Sequence, residues 1–398
     1  MSGESFEAAV AATLTRELED RDAGAFVHVG SIREPAVRYC VAAADDEPST
    51  GDVGSATFGE YPGARASHTY AVAFDVDATD DDATWHLESS DPRSSRSRPQ
   101  HPAVRVAERL TTSATVLAPP HLPHDAALYF EERGLELASS DVIDRARTTK
   151  HADERSALEA AQTAAATGIA RVRALVASTD DDVEGSADTR LTTARLDRAL
   201  SQGVLEGGAL PIDTTIDASV VEGECGASDG GETDARDHPI PYTAPVVVAT
   251  TVRTPEGYHG RLARTLVVDP DGGAVRRAHV ALTHAFRSVR AMATADDHPV
   301  RALEADLEAE IRAFGFDEAD GITARVDGIG LEASERPTRG DDVLAAGGVA
   351  CVDARIDTAS GTVRLADLLV KAGAEDGGEA RSLWVAPPSR SVRPDADG

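Results

Sequence analysis

Two apolar runs on either side of a short turn, between Pro245 and Val268, constrain this chain more than any other stretch. The first is Pro245-Val246-Val247-Val248-Ala249, and the turn is Thr254-Pro255-Glu256-Gly257. The second begins after Tyr258-His259-Gly260-Arg261 and ends in Leu266-Val267-Val268. β-Rich runs joined by a Pro/Gly turn predict a hairpin, and their near-continuous apolarity predicts strands buried within a larger sheet.

The rest of the chain is long enough to build around such a sheet. Its 398 residues allow two domains with cores of their own, and a hydrophobic fraction of 41% is that of a globular protein. Acidic residues number 69 against 39 basic ones, a net charge of −30, and Lys150 and Lys371 are the only lysines. So acidic a surface with almost no lysine fits a halophilic protein working in concentrated salt, where screening at 1 M shortens electrostatic reach to ~3 Å. The same charge excludes nucleic acid as a partner, because no basic face offsets the negative field. Cys40, Cys225 and Cys351 lack metal-type spacing and form no disulfide framework, which fits a reducing cytoplasm. Phe6, Val10, Leu14 and Leu18 recur every four residues in an acidic N-terminal segment, the pattern of an amphipathic helix rather than a secretory signal. No apolar run approaches the ~20 residues of a membrane span, so no membrane partner is expected.

Along the chain, strands are expected at Ala25–Gly30, Val37–Val41, Tyr70–Phe74, Ala83–Leu87 and Ala114–Leu117, with helices at Val104–Leu110 and Ala126–Gly134. This alternation describes an α/β domain over residues 1–144. The serine-, proline- and arginine-rich segment carrying Arg93, Arg96 and Arg98 reads as a solvated loop. A long Ala-rich helix is expected from Asp153 to Val176 and another from Thr192 to Ser201. A strand at Thr215–Val221 and a Gly/Asp/Glu loop at 222–239 precede the central hairpin. Helices at Arg276–Met292 and Pro299–Phe314 and strands at Gly328–Leu331, Val349–Ile356 and Val363–Val370 complete an α+β domain over 145–386. The Pro/Ser/Asp-rich tail, 387–398, is expected to be disordered.

Gly257-Tyr258, followed by Arg264-Thr265 and a Val-rich strand, resembles the second metal-binding strand of the pita-bread metallopeptidases, the family of methionine aminopeptidase, Xaa-Pro aminopeptidase, prolidase and creatinase. There the motif runs Gly-Tyr-x-x-Asp-x-Thr-Arg-Thr. Arg147-x-x-Lys150-x-x-x-Glu154 resembles the element that opens the family's catalytic domain. Further correspondences are Ile329-Gly330-Leu331 with Glu335-x-Pro337, Leu344-x-x-Gly347, and Val363-Arg364. The resemblance implies a creatinase-like α/β N-terminal domain and a pita-bread α+β C-terminal domain.

Active members of that family hold two divalent ions with two Asp, one His and two Glu, because such ions need hard anionic oxygens and imidazole. Transferred position by position, the ligands fall on Thr250, Arg261, Asp327, Asp353 and Ala366. The family's pocket residues fall on Thr233, Thr323 and Ser334, and His259 stands beside Arg261. Only two of the five positions, Asp327 at the family's His and Asp353 at a Glu, can bind a divalent ion, and the central one is cationic. At 4 Å and an effective dielectric of 20, unit charges interact by about 4 kcal/mol, so Arg261 would repel each divalent ion by about twice that.

The expectation is an Xaa-Pro peptidase-like protein without the binuclear centre and without a cofactor, serving as a binding or regulatory homologue for a peptide or protein ligand. Arg261, Asp327 and Asp353 are expected to form an ion cluster in place of the metals. The alternative is an active aminopeptidase or dipeptidase using one divalent metal, Mn or Co, on Asp327 and Asp353. The resemblance also carries over a homodimer. Elsewhere, His279 and His284 do not share a helix face, His121 and His124 flank a proline, and Cys225 has no evident base, so none of these is expected to carry chemistry.

Overall fold

The computed structural model describes residues 5–44, 68–76, 83–90, 100–110, 115–178, 191–218, 240, 244–267, 273–317, 320–338, 340–372, 381–386 and 388–393. Thr233, Cys225 and the arginines at 93, 96 and 98 lie outside these residues. The chain divides into two compact units, Met1–Arg147 and Thr148–Gly398.

The first unit is a five-stranded sheet with helices on both faces. Its strands are β1 (Ala23–Ser31), β2 (Thr69–Asp75), β3 (Thr84–Ser89), β4 (Thr115–Ala118) and β5 (Leu137–Ser139), in the order β3-β2-β1-β4-β5. β1 pairs antiparallel with β2 and parallel with β4. Every residue of β1 from Ala23 to Gly30 is buried, as a central strand covered on both faces requires. On one face Ala25, Val27 and Val29 pack with Ala103 and Val106 of α3 (Pro102–Arg109) and Phe130 of α4 (His124–Glu131). The other helices are α1 (Phe6–Asp20), α2 (Pro35–Ala44) and α5 (Val142–Ala146), and α1 buries the expected Phe6, Val10, Leu14 and Leu18.

Residues 37–41, expected as a strand, lie within helix α2. Pro35 supplies a preset φ in the first turn, Ser31 N–H donates to the Glu34 carboxylate at 2.9 Å, and Val37, Cys40 and Val41 fall on one buried helical face. Tertiary burial has overridden the β preference of two valines and a tyrosine.

His28, in the middle of β1, is fully buried with its ring 5.6 Å from that of His121. Burial, and then the neighbouring His121, pull its pKa from 6.5 down to about 4. A depressed pKa stabilises the fold above the unfolded value of 6.5, and that contribution is lost as pH falls toward 4. At 1.36 kcal/mol per unit, His28→Leu should lose about 2–3 kcal/mol less stability than the parent between pH 7.5 and 4.5. Denaturant midpoints at the two pH values measure this; parallel losses would show that His28 does not titrate as its burial requires.

The second unit repeats one layout twice: two helices, then three antiparallel strands. Its first half is α6 (Ala152–Ala177), α7 (Thr193–Glu206), β6 (Leu210–Ala218), β7 (Val246–Arg253) and β8 (His259–Leu266). The second is α8 (Ala274–Ala295), α9 (Val300–Ala313), β9 (Thr323–Gly328), β10 (Val349–Thr358) and β11 (Gly361–Ala372). The strands form one sheet ordered β6-β7-β8-β11-β10-β9, with β12 (Arg381–Trp384) on β11. Val248, Val252, Leu262 and Leu266 face α6 and α7, while Val352, Ala354, Ile356 and Leu365 face α8 and α9. Both helix pairs therefore cover one face, and strand alternation turns Thr251, Arg261, Asp353 and Arg364 to the other.

Gly260 lets β8 lie directly on α6, since a Cβ there would come within 2.8 Å of the Ala161 backbone. The strand expected at 328–331 is instead β9 over 323–328. Gly328-Ile329-Gly330 leaves the ladder there, and the Gly330 carbonyl accepts from His259 N–H at 2.8 Å.

The two halves meet where β8 and β11 pair at Ala263 and Ala366. Side chains extend that join. Thr265 Oγ1 accepts from Arg364 N–H at 2.8 Å and donates to Arg364 O at 3.1 Å, and Arg264 donates to Ala366 O at 3.0 Å. Arg264 and Asp367, 1% and 0% exposed, pair at 2.7 Å, and Arg390 donates to the other oxygen of Asp367 at 2.7 Å.

Arg390 belongs to the tail expected to be disordered, and residues 388–393 are instead docked. Val267 N–H donates to Val392 O at 2.9 Å, and Arg173 donates to the carbonyls of Ser389, Ser391 and Arg393 at 3.0–3.2 Å. The Arg390 guanidinium lies 4.4 Å from the Trp384 ring. A segment with few apolar side chains is held here by arginines that bond its backbone, which composition does not record. Among the described residues, no helix is long and apolar enough to cross a membrane.

Candidate functional site

The open face of the second sheet encloses a cavity of about 450 Å³. Asp213 and Thr215 of β6, Thr251 of β7, Arg261 of β8, Arg364 of β11 and Asp353 and Arg355 of β10 line it, with Thr323 and Arg325 of β9. Ala249, Thr250 and Leu262 also border it, and the register decides which side chains point into it.

Arg261 reaches across the sheet from β8. One guanidinium nitrogen donates to both carboxylate oxygens of Asp327, at 3.0 and 3.3 Å, and the other donates to Ala333 O at 2.6 Å. Burial pulls the Arg261 pKa down, but the charge and hydrogen bonding of Asp327, with the charge of Asp353, offset it and hold the group above the usual arginine range. Cys351 lies fully buried beneath the guanidinium, and burial pushes its thiol far up.

Asp353 does not join Arg261 in a single cluster. Arg364 takes both of its oxygens, at 2.9 and 2.6 Å, and that hydrogen bonding, with the Asp353 charge, raises the Arg364 pKa against burial. The expected ion cluster is therefore two adjacent ion pairs, Arg261–Asp327 and Arg364–Asp353. Arg355 forms a third pair with Asp357 at 2.8 Å.

The structure separates some of the other expected site residues. The β7–β8 ladder pairs Thr251 with Arg261 and Thr250 with Leu262. Thr250 borders the cavity, but its register points its side chain toward the helix layer, where its hydroxyl donates to Asp213 O at 3.1 Å, and Thr251 stands across from Arg261. A spacing of eleven residues would need a bulge to bring both positions to one face, and the ladder here is regular. Ala366, opposite Asp353, is fully buried. Thr323 lines the cavity, Ser334 is exposed in the loop after β9, and His259 is buried against Gly330 outside the cavity lining.

Sequence reasoning missed Arg325, Arg355 and Asp213 and treated Arg364 as framework. The signal lay in the β10–β11 hairpin: counting outward from its turn at Ala359-Ser360 pairs Arg355 with Arg364 and Asp353 with Ala366.

The framework motifs do converge. Lys150 Nζ lies 2.5 Å from Glu335 Oε1, and Glu154 accepts from the Tyr258 hydroxyl at 3.0 Å and from His151 N–H at 2.9 Å. All four of Lys150, Glu154, Tyr258 and Glu335 are buried. Burial raises the Glu154 pKa, with Lys150 opposing.

A divalent ion does not fit this donor set. Of the carboxylates on the open face, Asp327 and Asp353 already hold guanidinium groups, and Arg261 stands among them. Among the described residues no group of three His, Cys, Asp or Glu side chains is placed to hold a metal.

No family model matches the sequence, and no curated protein sequence does. Solved structures match over nearly the whole chain. The Xaa-Pro dipeptidase from Bacillus anthracis superposes with a TM-score of 0.66 at 14% identity, covering 97% of this chain and 99% of that one. The prolidase from Pyrococcus horikoshii OT3 gives 0.61 at 16% identity, covering 96% and 99%. The N-terminal domain of FACT complex subunit SPT16 from chickpea, Cicer arietinum, gives 0.61 at 14% identity, covering 97% of each. Identities this low establish a shared fold.

Proposed function

We propose that this chain, which has the pita-bread fold of prolidases, Xaa-Pro dipeptidases and X-Pro aminopeptidases, is a non-catalytic binding or regulatory protein built on that fold. The observation that carries the reading is the pairing of Asp327 with Arg261 and of Asp353 with Arg364. A binuclear hydrolase needs those carboxylates free, or nearly so, to neutralise two cations and the hydroxide between them. Here a metal would have to displace two guanidinium groups whose charges repel it. What persists is the cavity, and a cavity walled by charged and hydroxyl groups is suited to holding a small polar ligand or the end of a peptide. A shared fold does not fix activity, so the peptidase architecture and hydrolysis are separable.

The purified protein should carry no stoichiometric metal. With added Mn²⁺ or Co²⁺ it should hydrolyse an Xaa-Pro dipeptide no faster than buffer does. Elemental analysis and a release assay measure both. Turnover that disappears in Asp327→Ala would establish instead a single-metal peptidase using Asp327 and Asp353. The acidic surface supports a protein adapted to high salt, so the assays belong in concentrated KCl as well as dilute buffer.

A further inference from the structure

We propose that the open face of the second sheet binds a small anion of the phosphate class, held by Arg325, Arg355 and Arg364 from the adjacent strands β9, β10 and β11. The inference rests on the cavity being free of a metal centre. Arg355 and Arg364 stand directly opposite each other in the β10–β11 ladder. Directly opposed side chains have their Cβ atoms about 5 Å apart, and like charges there destabilise a sheet. Arg325 is paired in register with Asp353, but both oxygens of that aspartate are bonded to Arg364. Arg355 has Asp357, and Arg325 has no carboxylate within ion-pair distance among the described residues. Three arginines on adjacent strands thus line one side of the cavity, one of them without a carboxylate partner among the described residues, in a protein whose net charge is −30.

An oxyanion would relieve this arrangement. Guanidinium groups bond phosphate oxygens in forked pairs, and a tetrahedral anion has enough oxygens to serve three of them at once, which a carboxylate does not. The cavity, about 450 Å³, exceeds a bare phosphate and leaves room for an organic body. Thr215, Thr251 and Asp213 on the far wall would meet hydroxyl or amino groups on that body.

The test is a set of thermal melts at constant ionic strength with EDTA present, comparing chloride, acetate and inorganic phosphate. Phosphate at ten times its dissociation constant should raise the melting temperature by about 3 °C over chloride. In Arg325→Ala that rise should fall to under a third, while the variant in chloride melts no lower than the parent, because an exposed, unpaired charge has been removed. An equal rise in parent and variant would be the general salting effect of phosphate on burial and would overturn the proposal. An acetate rise matching that of phosphate would overturn the phosphate class. In a parallel series without EDTA, a phosphate response absent from the EDTA series would mean a metal-held anion and would count against the proposal and the non-catalytic reading together. Failure to respond to phosphate in the EDTA series leaves the metal and hydrolysis measurements standing, so the two readings fail separately.

Discussion

Replacing Asp367 by Ala should lower the stability of the second unit by about 3–5 kcal/mol, the cost of leaving a buried charge unpaired. Asp367 is fully buried and bonds two arginines, Arg264 at 2.7 Å and Arg390 at 2.7 Å. Arg264 is itself 1% exposed, and its other bonds go to the carbonyls of Ala263, Ala366, Pro388 and Ser389, which supply partial charge but no counter-ion. The loss should appear as a lower denaturant midpoint with an unchanged m value. Protease sensitivity should rise at residues 388–393, since Arg390 loses its anchor. A change under about 1 kcal/mol would mean that water reaches Arg264, and the pair would then be worth what surface pairs are worth.

The second large effect is expected at Lys150. Lys150→Met removes the ammonium 2.5 Å from the buried Glu335 carboxylate and the charge that opposes the burial of Glu154. The expected cost at neutral pH is again about 3–5 kcal/mol. Its pH dependence gives a sharper signature. Burial already raises the Glu154 pKa above 4.5, and loss of Lys150 raises it further. A raised carboxylate pKa stabilises the fold below the unfolded value and that contribution is lost as pH rises through the folded one. The variant should therefore be most impaired at pH 8 and regain ground toward pH 4.5. Adding Glu335→Leu should restore part of the loss, which a double-mutant cycle would read directly. A deficit independent of pH would indicate lost packing and not an unpaired charge.

Long, periodic elements were legible in the sequence because their pattern repeats. The hairpin around Pro255, the helices α6, α8 and α9, and the N-terminal helix all fall where apolar spacing puts them. The framework residues Lys150, Glu154, Tyr258 and Glu335 were legible through motif resemblance, and they meet in space. What failed depends on register or tertiary cover. Thr250 and Thr251 differ by one position, and one position in a strand exchanges the open face for the helix layer. Asp353 was given to Arg261, whereas its partner Arg364 comes from a hairpin whose pairing must be counted from the turn. Val37 and Val41 look like strand residues until the sheet they cover is known. The 388–393 segment has few apolar side chains, so nothing local announces the arginines that bind its carbonyls.

That docked segment imposes an order on biosynthesis. Residues 388–393 are translated after every described helix and strand of the second unit, yet Arg390 bonds Asp367 and the carbonyls of Pro388 and Ser389 accept from Arg264 between its two halves. Until that stretch leaves the ribosome, the Arg264–Asp367 pair lacks these partners, and folding of the described part of this unit waits on it. A stalled or prematurely terminated product would hold nearly all the secondary structure and still expose a charged gap, a difference that quality-control proteases can recognise.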